Sequence, residues 1–436
     1  MGRAPNGTGY ELSAWTDIIP ESEIRRLLRY NVKYYFAGGK PGILPLETFA
    51  KILEEIGAEQ LEQINSSKKS AVLSCYNYGV TAGWPPLREL LAKRLINDGI
   101  PLPKNLKEAK DKVVITTGSQ QALFILGDIL IDPGDIIITT EPVYLGFVGP
   151  MMRFGARIIT VPTDDKGAIP EYVNAAIEKA KKRFKKIPDM IYVIPDSDNP
   201  KGTTIPMNRR KALYEIAEKH KILLIEDAAY REIQFQQKLP PIKSLDKENK
   251  WVVHIRTSSK EAAVFRIGYT VLPDDILHDF LKSKGYIDLT SPIINQVLLK
   301  KYYEKYFDNV ISIVVDGYRR RCNAMEAAID ASFPPGWRSY PSGGFFIWWE
   351  SDNKSFNARQ FLEKVALKND LSYVPGEAFY PLPEFGYVFN PETNCIERLK
   401  KPKRNTMRLS FSFLNEKEIS RGINKLGNIL SQHLKS

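Results

Sequence analysis

From Lys112 onward, short β-branched runs alternate with helical stretches, and this alternation constrains the fold more than any other feature of the chain. VVITT (113–117) precedes SQQALFILGDIL, IIITT (136–140) precedes LGFVGPMMRFG, and MIYVI (190–194) precedes MNRRKALYEIAEKH. ILLIE (222–226), VVHIR (252–256) and RIGYTVL (266–272) follow. Strands alternating with helices predict an α/β fold, a mainly parallel sheet covered by helices on both faces. After Asp316 the pattern changes to a long helix, YRRRCNAMEAAIDA, and then to strand text in GWRSYPSGGFFIWWE, which predicts a smaller α+β domain. The expected division is an N-terminal arm and helix at 1–45, a large domain at 46–316 and a small domain at 317–436. Ser22 is expected to cap a helix over ESEIRRLLRYNV. The Pro-, Asn- and charge-rich passage from Pro383 to Asn405 reads as a loop or hairpin, and its 391–404 portion as a decorated loop.

In parallel sheets, ligands bind beyond the carboxyl ends of the strands, so the residues there carry the functional argument. After VVITT comes TGSQQAL, where a helix start offers unpaired N–H groups to a phosphate; plain capping explains a glycine-serine pair equally well. Asp227 follows ILLIE at the end of an apolar strand, a costly place for a carboxylate unless it meets a cation or donor. Lys260 follows VVHIR among hydroxyls, in TSSK. No P-loop and no GxGxxG follows a strand, which disfavours ATP and dinucleotides.

The net charge of +11 invites a nucleic-acid partner. The dense runs KKRFKK (181–186) and RLKKPKR (398–404) read instead as a helix face and a loop, with no recognition motif beside them. No stretch is apolar enough to span a bilayer, and the N-terminus has no secretory pattern. Cys75, Cys322 and Cys395 make neither a disulfide framework nor a zinc set, so a cytoplasmic protein is expected. His220, His254, His278 and His433 form no catalytic or metal-binding constellation, and no metal is expected.

TTGSQQAL, EPVYLG, DNPKG, EDAAYRE, TSSK with RIGY, and MRLSFS occur in the order and rough spacing of fold-type-I pyridoxal-phosphate aminotransferases. The chain resembles the branch holding kynurenine and 2-aminoadipate aminotransferases, from about Phe36 to Phe413. The resemblance implies a seven-stranded-type sheet and a pyridoxal 5'-phosphate cofactor. It further implies ping-pong transfer of an amino group to a 2-oxo acid, 2-oxoglutarate by expectation, from an aromatic, 2-aminoadipate-like or branched-chain donor. Carried over by position, Lys260 would hold the cofactor as a Schiff base and move the Cα proton. Asp227 would pair with the pyridine nitrogen, Tyr230 and Asn199 with the ring hydroxyl, and Tyr144 would stack on the ring. Ser119, Gln120, Thr257, Ser259 and Arg266 would hold the phosphate. Tyr78 would reach the neighbouring subunit's phosphate, implying a homodimer with shared active sites. Arg408 and Gly39 would meet the substrate carboxylate, with Asn199 beside them.

The chain departs from this pattern after the lysine. Arg266 follows Lys260 by six residues instead of seven, without the usual Pro-Gly pair, and Arg256 and Ser258 stand where glycine and a bulky apolar residue are common. Two other readings keep the fold: a lyase, of the β-eliminating or aminocyclopropane-carboxylate-synthase type, and a non-catalytic regulatory domain. For the latter, the segment before the aminotransferase-like text is too short to hold a winged helix.

Overall fold

The computed structural model describes residues 12–43, 45–66 and 69–435. The alternating text becomes β1 (Val113–Thr116), β2 (Ile136–Glu141), β3 (Arg157–Asp164), β4 (Met190–Val193), β5 (Leu223–Asp227), β6 (Val252–Thr257) and β7 (Gly268–Val271). They stand in the order β3-β2-β4-β5-β6-β7-β1. Neighbours are parallel except at β7, which runs antiparallel to both β6 and β1. Ile137, Met190 and Tyr192 pack into one core. Ile136, Ile138, Ile191 and Val193 pack into another. Successive residues of a strand point to opposite faces, and both faces are covered, which is why these strands read as unbroken apolar runs.

A second, antiparallel sheet gathers β8 (Gly336–Arg338), β9 (Phe346–Ser351), β10 (Val374–Pro375) and a late strand, Thr406–Ser410. Between the last two lies the Pro383–Asn405 passage, which forms a hairpin of β11 (Gly386–Asn390) and β12 (Cys395–Arg398). β11 lies parallel against β3, so this hairpin extends the large sheet although it falls within 317–436. It covers an edge of unpaired backbone groups that β3 would otherwise present. Thr406–Ser410 is β13. Helix α3 (Phe307–Ser332) runs through the expected boundary at 316, and its C-terminal half packs with α4 (Glu416–Lys435). The N-terminal arm joins this second unit, with Tyr34 and Tyr35 pairing Leu371 and Ser372.

The first amphipathic helix is shorter than its sequence suggests. It covers only Glu23–Leu27, and the Ser22 side chain makes no capping bond. The arm must turn out of the helix to reach its strand partner at 371–372, and tertiary pairing overrides local propensity here. KKRFKK ends the helix Pro170–Phe184, with Lys185 in the left-handed region, which fits a solvated helix end. His254 bonds Glu226, and His220 lies against Lys181 and Asn174, as structural histidines do. Among the described residues no helix is long and apolar enough to cross a membrane, and no group of three residues is placed to hold a metal.

Candidate active site

Six strands run parallel and end at one mouth, and β7 begins there because it runs the other way. Asp227 closes β5 and is buried. The Tyr192 hydroxyl donates to its Oδ2 at 2.8 Å, while Oδ1 has no partner. Burial pushes this carboxyl up to about 6, against the Tyr192 bond, the Lys260 charge and the Ala229 backbone. Tyr192 is itself fixed by stacking on Phe147, with centroids 3.7 Å apart. A buried carboxylate with one bare oxygen suits a cationic donor.

Lys260 follows β6 and brings its Nζ to 4.9 Å from the Tyr230 ring centroid. Burial lowers its amine to about 8; Asp227 opposes this, while Arg266 and Arg408 assist it. Part of the amine is therefore neutral near physiological pH, as a nucleophile or proton carrier needs. Tyr230 stands edge-on to Phe345 and Phe346. Tyr144, just before α2 (Leu145–Arg153), donates from its hydroxyl to Gln120 Oε1 at 3.3 Å, and Gln120 Nε2 donates to Gly146 O. Burial and Asp227 push the Tyr144 hydroxyl up to about 12, while Arg408, Arg25 and Arg266 pull it down. One ring thus feels charges from four separate segments.

A polar cradle lies between β1 and β7. Gly118, with φ of +74°, starts α1 (Ser119–Leu130), where a side chain would be strained. A Cβ there would meet Arg266 Nη2 at 2.9 Å, and a Cβ on Gly268 would meet the Ser119 nitrogen at 2.6 Å. Arg266 Nη1 donates to Ser259 Oγ at 3.0 Å, and the Thr257 hydroxyl donates to the same oxygen at 3.0 Å. The short turn after Lys260 therefore still brings Arg266 across the helix start. Guanidinium, hydroxyls and the first N–H groups of α1 make an anion site.

The opposite wall comes from the second sheet. Arg408 on β13 is fully buried, its Nη1 donating to Asn199 Oδ1 at 2.9 Å and its Nη2 to Ala37 O at 2.5 Å. Its guanidinium lies over Phe346 at 3.9 Å, and its Nε has no partner. Burial lowers it to about 10, so it remains a cation. A Cβ on Gly39 would meet Phe346 at 2.6 Å, so glycine lets the arm pass close to this platform. Arg25 is near enough for its charge to act on both Tyr35 and Tyr144.

Tyr78 is the exception among the expected residues: it is 82% exposed, and no described contact ties it to this mouth. Tyr192, Phe346 and Arg25 were missed from the sequence. A tyrosine inside an aliphatic parallel strand, as in MIYVI, was the available signal, since a buried hydroxyl needs a partner. Phe346 and Arg25 gave none, because FFIWWE and EIRRLL read equally well as core and helix face. Pyridoxal phosphate fits what is present: the bare Asp227 oxygen suits a protonated ring nitrogen, the Gly118 cradle a phosphate, and the depressed Lys260 amine an aldehyde carbon.

The family model for aminotransferase class I and II matches residues 53–392. The aromatic-amino-acid aminotransferase 1 of Thermococcus litoralis is 32% identical over 95% of this chain and 92% of its own length. The Pyrococcus horikoshii kynurenine aminotransferase structure, in complex with PMP, superposes with a TM-score of 0.82 at 30% identity over 98% of both chains. The Thermus thermophilus alpha-aminoadipate aminotransferase, complexed with N-(5'-phosphopyridoxyl)-L-leucine, gives 0.79 at 28% identity, covering 97% of this chain and 98% of that one. The alternation of strands and helices, the mouth they build and these likenesses converge: the chain belongs to the class I and II aminotransferases and is a pyridoxal-phosphate-dependent transaminase.

Proposed function

We propose that the enzyme takes the amino group of an aromatic, 2-aminoadipate-like or branched-chain α-amino acid and passes it to 2-oxoglutarate by a ping-pong mechanism. The observation that carries this reading is the meeting, at one mouth, of Lys260, the half-partnered Asp227 and the buried Arg408. When bound, pyridoxal phosphate supplies an electron sink for the carbanion at the substrate Cα. Asp227 would hold the ring nitrogen protonated, and Tyr192 keeps that carboxylate in place. Tyr230 and Asn199 would hold the ring oxygen, and Tyr144 would stack on the ring. Ser119, Gln120, Thr257, Ser259 and Arg266 would hold the phosphate. The Lys260 amine, partly neutral near physiological pH, would carry the proton removed from the substrate Cα. Arg408 orients the α-carboxylate, beside Gly39, so that the Cα–H faces Lys260. Phe346, Phe379 and Tyr35 around Arg408 exclude water from that wall.

Exposed Tyr78, Val264 and Tyr286 support a homodimer in which Tyr78 serves the neighbouring subunit's phosphate. The sparse cysteines favour a cytoplasmic setting. The test is a donor screen with 2-oxoglutarate. A good donor alone should convert the yellow cofactor to its amino form; release of ammonia with an unsaturated product would instead identify a lyase.

A further inference from the structure

The residue after Lys260 is Glu261, and the chemistry assigned so far leaves it unused. It is 1% exposed. The Tyr303 hydroxyl donates to its Oε1 at 2.9 Å, and its Oε2 has no partner. Arg256 stands nearby on β6, yet it donates to Asp98 at 2.7 Å and to Glu232, so its charge is already matched. The other groups whose charge couples to Glu261 are Glu232 after β5, Tyr269 on β7, Tyr302 and Tyr303 before α3, and Tyr318 within it. Arg94, from the helix Pro85–Asn97, covers the Tyr303 ring at 4.3 Å. Burial and the Glu232 charge push the Glu261 carboxyl up to about 7. Its charge also acts on Lys260, favouring the protonated amine. An unpaired buried carboxyl is a cost to folding, and here it sits one residue from the reacting amine.

We propose that Glu261 is a positioning residue for Lys260: anchored by Tyr303, it pins the short lysine-bearing turn and adds a second negative field, after that of Asp227, at the lysine nitrogen. This rests on Lys260 carrying the cofactor. The anchor also gives the turn a side-chain tie to the helical segment around Tyr303, in addition to its backbone bonds from Ala262 to Ser258 and from Ser258 to Ile267.

The experiment is a spectrophotometric pH titration of the yellow lysine–cofactor chromophore in the wild-type holoenzyme, Glu261→Gln and Tyr303→Phe. Glutamine still accepts from Tyr303, so the fold and the anchor remain while the charge goes. Without that charge the protonated nitrogen is less favoured, and the midpoint falls by about 0.5 pH or more. The acidic limb of the kcat/KM profile should move down with it. Tyr303→Phe removes a donor to the carboxylate, keeps Glu261 neutral to higher pH, and lowers the midpoint by a smaller step. A Glu261→Gln midpoint identical to wild type, even with reduced turnover, overturns the proposal. Borohydride trapping separates the levels: a Lys260 adduct with an unmoved midpoint sinks this inference alone, and no adduct in the wild type sinks the functional reading with it.

Discussion

Replacing Arg408 with lysine keeps the charge and removes the fork. In the structure two of the five guanidinium N–H donors are spent on the protein, one on Asn199 Oδ1 at 2.9 Å and one on Ala37 O at 2.5 Å. Three remain for a substrate carboxylate, including the unpartnered Nε. A lysine ammonium has three donors in all, so with the same protein contacts it keeps one. At least one charge-assisted bond to the carboxylate is lost, worth about 1.5–3 kcal/mol, or roughly 10- to 150-fold in kcat/KM. Donor and acceptor both carry the α-carboxylate, so both half-reactions should fall by similar factors. Stopped-flow measurement of each half-reaction, following the cofactor chromophore, reads this directly. The chromophore before substrate addition should be unchanged, because Arg408 does not hold the cofactor. An unaffected kcat/KM, or a loss confined to one half-reaction, would refute the carboxylate role.

Lys260→Ala should abolish borohydride-stable labelling, checked by peptide mapping. With the amine lowered to about 8, cofactor incorporation into the apoenzyme should accelerate as pH rises through that value, since the neutral amine attacks; a flat rate from pH about 7 to 9 would contradict it. Asp227→Asn should lower turnover by about 100-fold or more, measured with saturating cofactor, because the ring nitrogen loses its anion. Glu261 is raised in the fold from 4.5 to about 7, so the stability it contributes is full below 4.5 and is lost as pH rises to about 7. Glu261→Gln should flatten the fall in Tm across that window in thermal scans. Co-expressing Lys260→Ala with Tyr78→Ala should restore activity through hybrid dimers bearing one intact site, and no recovery would show that sites are not shared.

The parallel sheet was legible because burial on both faces leaves strands as largely apolar runs, and the chemistry was legible because polar residues stand at or just beyond their ends, Asp227 closing β5 and Lys260 three residues past β6. What escaped reading depends on partners distant in the chain. Tyr192 matters only because β4 lies beside β5, which brings its hydroxyl to Asp227. The Pro383–Asn405 hairpin took its place from the free edge of β3. The helix after Ser22 stops at Leu27 for the same reason, since the chain beyond it must reach its strand partners at 371–372.

The reversed direction of β7 has a bearing on how this turn tolerates change. Thr257 and Gly268 face each other across the β6–β7 ladder, so residues 258–267 form an arc between two fixed posts. Deleting or adding a residue alters the curve of the arc while its feet stay where the sheet puts them. Loop-length libraries across 261–265 should therefore retain cofactor binding more often than equal changes between β5 and Tyr230, where two residues separate the strand end from a ring packed on Phe345 and Phe346.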